Sequence, residues 1–188
     1  MAGTLTVQNI QGPTSGANAN KIIVPSGQTL DASGGTLVPS AGAVVQVAEP
    51  PSTWSSRWSS SSTSFAQTPH YVDITPKYDD SKILITGMIN GGHTTSGDYT
   101  RLLIVRNVGG TRTNVDENAG SSGGTTVIGQ GAWHSVALHI MDSPSTTSSI
   151  TYELWACSYS GTTPSYLGWS SVHPDHNGVY ITAAEIKQ

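Results

Sequence analysis

All 13 aromatic side chains of this 188-residue chain lie from Trp54 onward, and the 53 residues before it carry only three charges, Lys21, Asp31 and Glu49. A stretch of that length without large side chains cannot bury enough surface to offset its own ordering entropy. Short apolar clusters nevertheless recur in it, at Leu5/Val7/Ile10, Ile22/Ile23/Val24, Leu37/Val38 and Val44/Val45/Val47. Turn signals such as Gly12-Pro13, Ser33-Gly-Gly and Pro39-Ser-Ala-Gly stand between them. Val-Pro-Ser occurs twice, at 24–26 and 38–40, a weak internal echo. Such clusters become stable when they are buried against copies of themselves, as in architectures whose units need neighbours. Residues 1–50 are therefore read as an extended β shaft or anchoring segment of a homo-oligomer, with Val44, Val45 and Val47 in the oligomer interface. The competing reading is a flexible leader that orders on docking.

The next stretch, residues 51–63, is a Ser-rich hinge holding two tryptophans. Trp54 and Trp58 are expected to pack between subunits there, because tryptophan is enriched at interfaces. The rest of the chain, residues 64–188, reads as a head domain.

Charge narrows the function classes. Asp, Glu, Lys and Arg make up 11% of the chain and the net charge is −4, whereas Ser, Thr and Gly supply 70 residues. Helical bundles need more charge on their exposed faces, and a weakly acidic chain has no electrostatic footprint for nucleic acid. One cysteine, Cys157, excludes an internal disulfide framework. No apolar run reaches the roughly 20 residues of a membrane-spanning helix, and the N-terminus lacks a secretory pattern. The expectation is a soluble protein made in a cytoplasm, with no nucleic-acid partner and no membrane insertion.

Beyond residue 64 the apolar pattern alternates with period two, which predicts strands. These fall at 70–75, 81–90, 101–108, 133–141, 150–159 and 179–186, with shorter ones near 125–128 and 166–172. Two of them, 81–90 and 101–108, are apolar on both faces, as a sheet interior or an interface requires. In 150–159, Ile150, Tyr152 and Leu154 share one face and Trp155, Cys157 and Tyr159 the other. Gly/Pro/Asn/Ser clusters separate the strands, and no amphipathic helix is found. About eight strands in roughly 125 residues suit an antiparallel β-sandwich, jelly-roll-like. The fold class is all-β.

Three groups of residues carry a resemblance. The run Asn-Lys-Ile-Ile-Val-Pro-Ser-Gly-Gln-Thr-Leu-Asp-Ala-Ser-Gly-Gly-Thr-Leu-Val-Pro-Ser-Ala-Gly at 20–42 resembles the N-terminal shaft segments of bacteriophage tail-fibre and related virion fibre proteins, especially of marine phages and cyanophages. Thr-Pro-Lys-Tyr-Asp-Asp-Ser-Lys-Ile-Leu-Ile at 75–85 and Met-Asp-Ser-Pro-Ser-Thr-Thr-Ser-Ser-Ile-Thr-Tyr at 141–152 are similar to the heads of such proteins, as is Ile-Thr-Ala-Ala-Glu-Ile at 181–186. The resemblance implies a homotrimer, a thin β-rich shaft and a jelly-roll-like head. It also implies a virion location after assembly in the host cytoplasm, contacts with other virion proteins through residues 1–50, and a host-surface glycan or protein as the partner of the head. It implies no catalytic set.

The residues themselves point the same way. Asp79-Asp80 and Asp116-Glu117 sit in predicted turns, and adjacent residues of a strand face opposite ways, so neither pair has the opposed geometry of glycoside hydrolysis. No Gly-x-Ser-x-Gly elbow is present. No cofactor and no metal site is expected, since His173-Pro-Asp-His176 reads as a turn set by Pro174. Tyr166, Trp169, His173 and His176 are aromatic groups in a polar context, able to stack on a sugar ring, and form the candidate ligand-binding set. The expected protein is a non-enzymatic virion fibre. The alternative is a head-decoration or head-fibre protein of the capsid with no receptor role.

Overall fold

The computed structural model describes residues 13–17, 19, 22–28, 39–51, 57–93, 98–115, 126–128, 133–168 and 178–188, with backbone alone at 126–128 and 133. The chain divides into two units, Met1–Val38 and Pro39–Gln188. In the smaller unit the described residues make turns closed by Ala19 N–H to Gly16 O and Gln28 N–H to Pro25 O, and Ile22, Ile23 and Val24 are exposed.

The larger unit is all-β among the described residues. Its strands are β1 (Val44–Ala48), β2 (Trp58–Ser60), β3 (Ala66–Ile74), β4 (Lys82–His93), β5 (Thr100–Val108), β6 (Thr111–Asn114), β7 (Thr126–Ile128), β8 (Trp133–Asp142), β9 (Ile150–Ser158), β10 (Ser165–Leu167) and β11 (Val179–Ile186). Several share a lane. β10 and then β11 run antiparallel along the same side of β4, and β2 and β1 pair with them on the far side. β6 and β7 likewise occupy two halves of one side of β5. Eight lanes result, all antiparallel. Numbered along the chain, the first sheet reads 1-8-3-6 (β1/β2, β10/β11, β4, β8) and the second 2-7-4-5 (β3, β9, β5, β6/β7). That is the lane order of a jelly roll, two Greek keys laid face to face.

Alternation puts one face of every strand inside. Ile83, Ile85 and Ile89 of β4 meet Ile150, Tyr152 and Leu154 of β9, all fully buried, with Leu102 and Ile104 of β5 beside them. Val136, Leu138 and Ile140 of β8 turn inward, as their spacing predicts.

The expected boundary at 51–63 falls inside this sandwich. Val44–Ala48, assigned to the shaft, pairs with β11 from Val44↔Ile186 to Ala48↔Ala183, and Trp58–Ser60, assigned to the hinge, pairs with β10. An edge strand needs backbone partners more than apolar bulk, so a Ser-rich segment can serve. The strand β6, Thr-Arg-Thr-Asn, has every side chain exposed and follows β5 through Gly109-Gly110, both at positive φ, the conformation a two-residue hairpin demands. Pro69, which has no N–H to donate, sits where three residues of β3 oppose one of β9, between Gln67↔Trp155 and Tyr71↔Glu153. The Thr68 hydroxyl donates to Leu154 O at 2.7 Å and accepts from His70 N–H, which braces that bulge.

Candidate functional site

The two outer faces of the sandwich differ in kind. On the second sheet the outward side chains satisfy one another. Glu153, almost fully buried, accepts two hydrogen bonds from Arg112 (3.0 and 3.1 Å), one from Asn107 and one from the Trp155 indole. Burial pushes the Glu153 carboxyl up, but the hydrogen bonds from Arg112, Asn107 and Trp155 outweigh it and hold it below the usual carboxylate range. Arg112 also lies over the Trp155 ring. Further along, Tyr99 and Tyr159 stack at 4.0 Å, and Arg101 sits between the Tyr159 and Phe65 rings.

The outer face of the first sheet carries rows such as Val47–Ala184–Leu84–Met141, Thr182–Thr86–His139 and Tyr180–Met88–Ala137. Lys82, at one corner, is the only formally charged side chain that faces outward on the lanes β1, β11, β4 and β8 among the described residues, since Glu185 and Asp142 share the inward row of Ile83. Val44, Val47, Met88, Met141 and Tyr180 are 43–62% exposed there. Among the described residues of the sandwich, Tyr159 is the one other large apolar group so exposed.

Buried polar groups concentrate at the ends of the sandwich. At one end Asp98 accepts from the Ser160 hydroxyl (2.6 Å) and amide (2.9 Å), from Tyr99 N–H and from Ser158 Oγ. His93 Nε2 lies 3.3 Å from Asp98, and His93 Nδ1 lies 2.8 Å from the Thr163 hydroxyl. Burial raises the Asp98 pKa, but the Ser160 hydroxyl, two amides and the His93 charge outweigh that and bring it down to about 2. The order Thr163, His93, Asp98 matches the hydroxyl–base–acid order of hydrolases. Here His93 and Asp98 are both closed off from solvent, at 1% and 2% exposure, and Asp98 is held by the turn it braces. The set acts as a bracket that holds residues 98–100 to 158–163.

At the opposite end Glu185, fully buried, accepts from the Lys77 and Tyr78 amides and from Gln46 Nε2, which ties β1, β11 and the turn after β3 together. Along one open side, Arg106 reaches Asp142 at 2.9 and 3.0 Å, and Asp142 also accepts from the buried Tyr152 hydroxyl, so this group links the two sheets. An open cleft of about 290 Å³ lies over it, lined by Arg106, Thr113, Asn114, Val115, Met141, Asp142 and Ser143.

The residues singled out from the sequence are dispersed. Tyr166 is half-buried in β10, between Ser59 and Gly92. Trp169, His173, His176 and Trp54 lie outside the described residues. The described residues Gly168 and Gly178 both meet Asn90, since Gly168 N–H donates to Asn90 O and Asn90 N–H donates to Gly178 O. Trp58 is half-buried against the core of its own sandwich. Val45 occupies a bulge in β1, and its neighbours Val44 and Val47 face out. Among the described residues no group of three His, Cys, Asp or Glu side chains could hold a metal ion. Asp98, Glu153 and Glu185 carry no signal in the sequence, because their partners come from distant strands.

No family model and no curated protein matches the sequence. Among solved structures, the chain is similar to a point mutant of the VP2 protein of infectious bursal disease virus in derived T=1 particles. The TM-score is 0.41 and the identity 11%, over 93% of this chain and 44% of that one. It is also similar to the structure of the Gt strain of infectious bursal disease virus, with a TM-score of 0.36 and 13% identity over 87% of this chain and 42% of that one. The chain thus spans less than half the length of these structures.

Proposed function

We propose that the chain is a non-enzymatic structural protein of a virus particle, a homotrimeric fibre of a tailed phage. Its first residues attach it to other virion proteins, and its β head binds a host-surface glycan or protein. The observation that supports this reading is an N-terminal run, residues 20–42, with the pattern of a fibre shaft, in a chain whose larger unit, from Pro39 on, is an eight-lane jelly roll among the described residues. The buried carboxylates agree with a structural role, since Asp98, Glu153 and Glu185 each accept several hydrogen bonds and brace turns or neighbouring strands.

Immunogold labelling of purified particles with an antibody to this chain tests the reading. Label at the tail, together with binding of the purified chain to host cells and blocking of adsorption, is the expected result. Label on the capsid without host-cell binding would give the head-decoration alternative, and absence of the chain from particles would overturn both. Incubation with host polysaccharide is expected to release no reducing ends.

A further inference from the structure

We infer that the outer face of the first sheet, across β1, β11, β4 and β8, is the surface on which a second copy of this chain docks. The inference rests on the homo-oligomer reading above and names the part of the molecule that would make the oligomer.

Three observations select a copy as the occupant. The first is charge. The chain as a whole carries −4, so two copies repel over their net charge, but among the described residues this face offers only Lys82 at a corner and adds nothing to that repulsion. A partner chosen by charge, such as nucleic acid or an acidic peptide, has nothing here to hold. A face of Met, Val, Ala, Thr and Tyr suits burial against another copy, since interface cores are depleted in charge and enriched in Met and Tyr, and a contact with a different surface of that copy can close a ring of three.

The second is area. Four lanes about 4.8 Å apart and strands of eight residues at about 3.3 Å each give roughly 500 Å² per copy, so about 1,000 Å² for a pair, where specific interfaces begin.

The third is the edge. β8 is ten residues long, pairs among the described residues with β4 on one side only, and contains no Lys, Pro or Gly to blunt the other. Long unprotected edges are sites of chain–chain pairing, and this one borders the same face through His139 and Met141.

The test uses the full chain. Met88 and Met141 both stand on the face, and the only other methionine is Met1. Wild-type protein is expected to sediment at a multiple of its 19.6 kDa mass, with Met88 and Met141 oxidised by peroxide several-fold more slowly than free methionine. Met88→Glu is expected to bring the sedimenting mass down to that of one chain, with the far-ultraviolet circular dichroism unchanged. An intact oligomer whose Met88 and Met141 oxidise freely overturns this inference alone and leaves the homo-oligomer reading standing. A wild-type monomer overturns both. Protection of the two methionines in a monomer overturns the inference as well, because another part of the same chain would then cover the face. The oxidation measurement needs no variant, so a misfolded Met88→Glu does not shield the inference.

Discussion

His70 sits in β3 with its imidazole 2% exposed and neither ring nitrogen hydrogen-bonded. Burial lowers its pKa to about 4, against roughly 6.5 for an unfolded chain. Between those values the unfolded state binds the extra proton, so stability falls as the pH drops from 6.5 and the loss levels off below 4. The linked loss is at most about 3 kcal/mol, at 1.36 kcal/mol per pH unit. Urea titrations at pH 7 and pH 4.5 are expected to show this slope in the wild type and a much smaller one in His70→Leu. Asp98 acts in a lower window. Its folded pKa is depressed to about 2, so its contribution is present above the unfolded value near 4 and disappears as the pH falls towards 2. Asp98→Asn leaves several buried donors short of an acceptor and is expected to cost about 1–3 kcal/mol in denaturant melts at neutral pH.

The strands are held in place by groups that no single strand contains. Glu185 of β11 accepts from Gln46 of β1 and from the Lys77 and Tyr78 amides, and these bonds outweigh burial to keep its carboxyl below the usual range. Glu185→Gln is expected to cost about 1–3 kcal/mol. It should also speed amide exchange at residues 46–48 and 77–78 before the centre of the sheet is affected, which hydrogen exchange read by mass spectrometry would resolve. Gly87 sets a different constraint at the middle of β4. A Cβ there would stand 2.3 Å from the Tyr180 carbonyl oxygen, a backbone atom that cannot swing aside. Gly87→Ala should therefore part β4 from β11 at a cost of roughly 1–3 kcal/mol, visible as a lowered urea midpoint.

At the scale of the whole molecule, apolar residues do two kinds of work. Leu154 is fully buried between the sheets, and Leu154→Ala is expected to lower the stability of the sandwich by about 2–5 kcal/mol. Met88 is half-exposed on the outer face, so Met88→Ala should leave the melting of the single sandwich nearly unchanged and weaken only the assembly of copies. Paired measurements of unfolding and sedimentation separate the two. The strands with strong alternation, such as 133–141 and 179–186, were legible from local pattern, because each buries one face. The Ser-rich Trp58–Ser60 and the all-polar Thr111–Asn114 were not, since their pairing comes from a neighbouring strand and leaves no trace in their own apolar spacing. Val44 and Val47 were singled out as interface residues, and they stand exposed on the outer face of the first sheet. The carboxylates Asp98, Glu153 and Glu185 were invisible, because their partners lie 41 to 139 positions from them for the most part. By itself the sequence determined the class of the fold and the inward face of its long strands, through period-two alternation and turn chemistry, both local properties. Only the tertiary structure decided that, among the described residues, eleven strands fill eight lanes, one outer face is charged and self-satisfied, and the other is left nearly without charge. Those outcomes depend on which strands become neighbours, and that is set by packing across the whole chain.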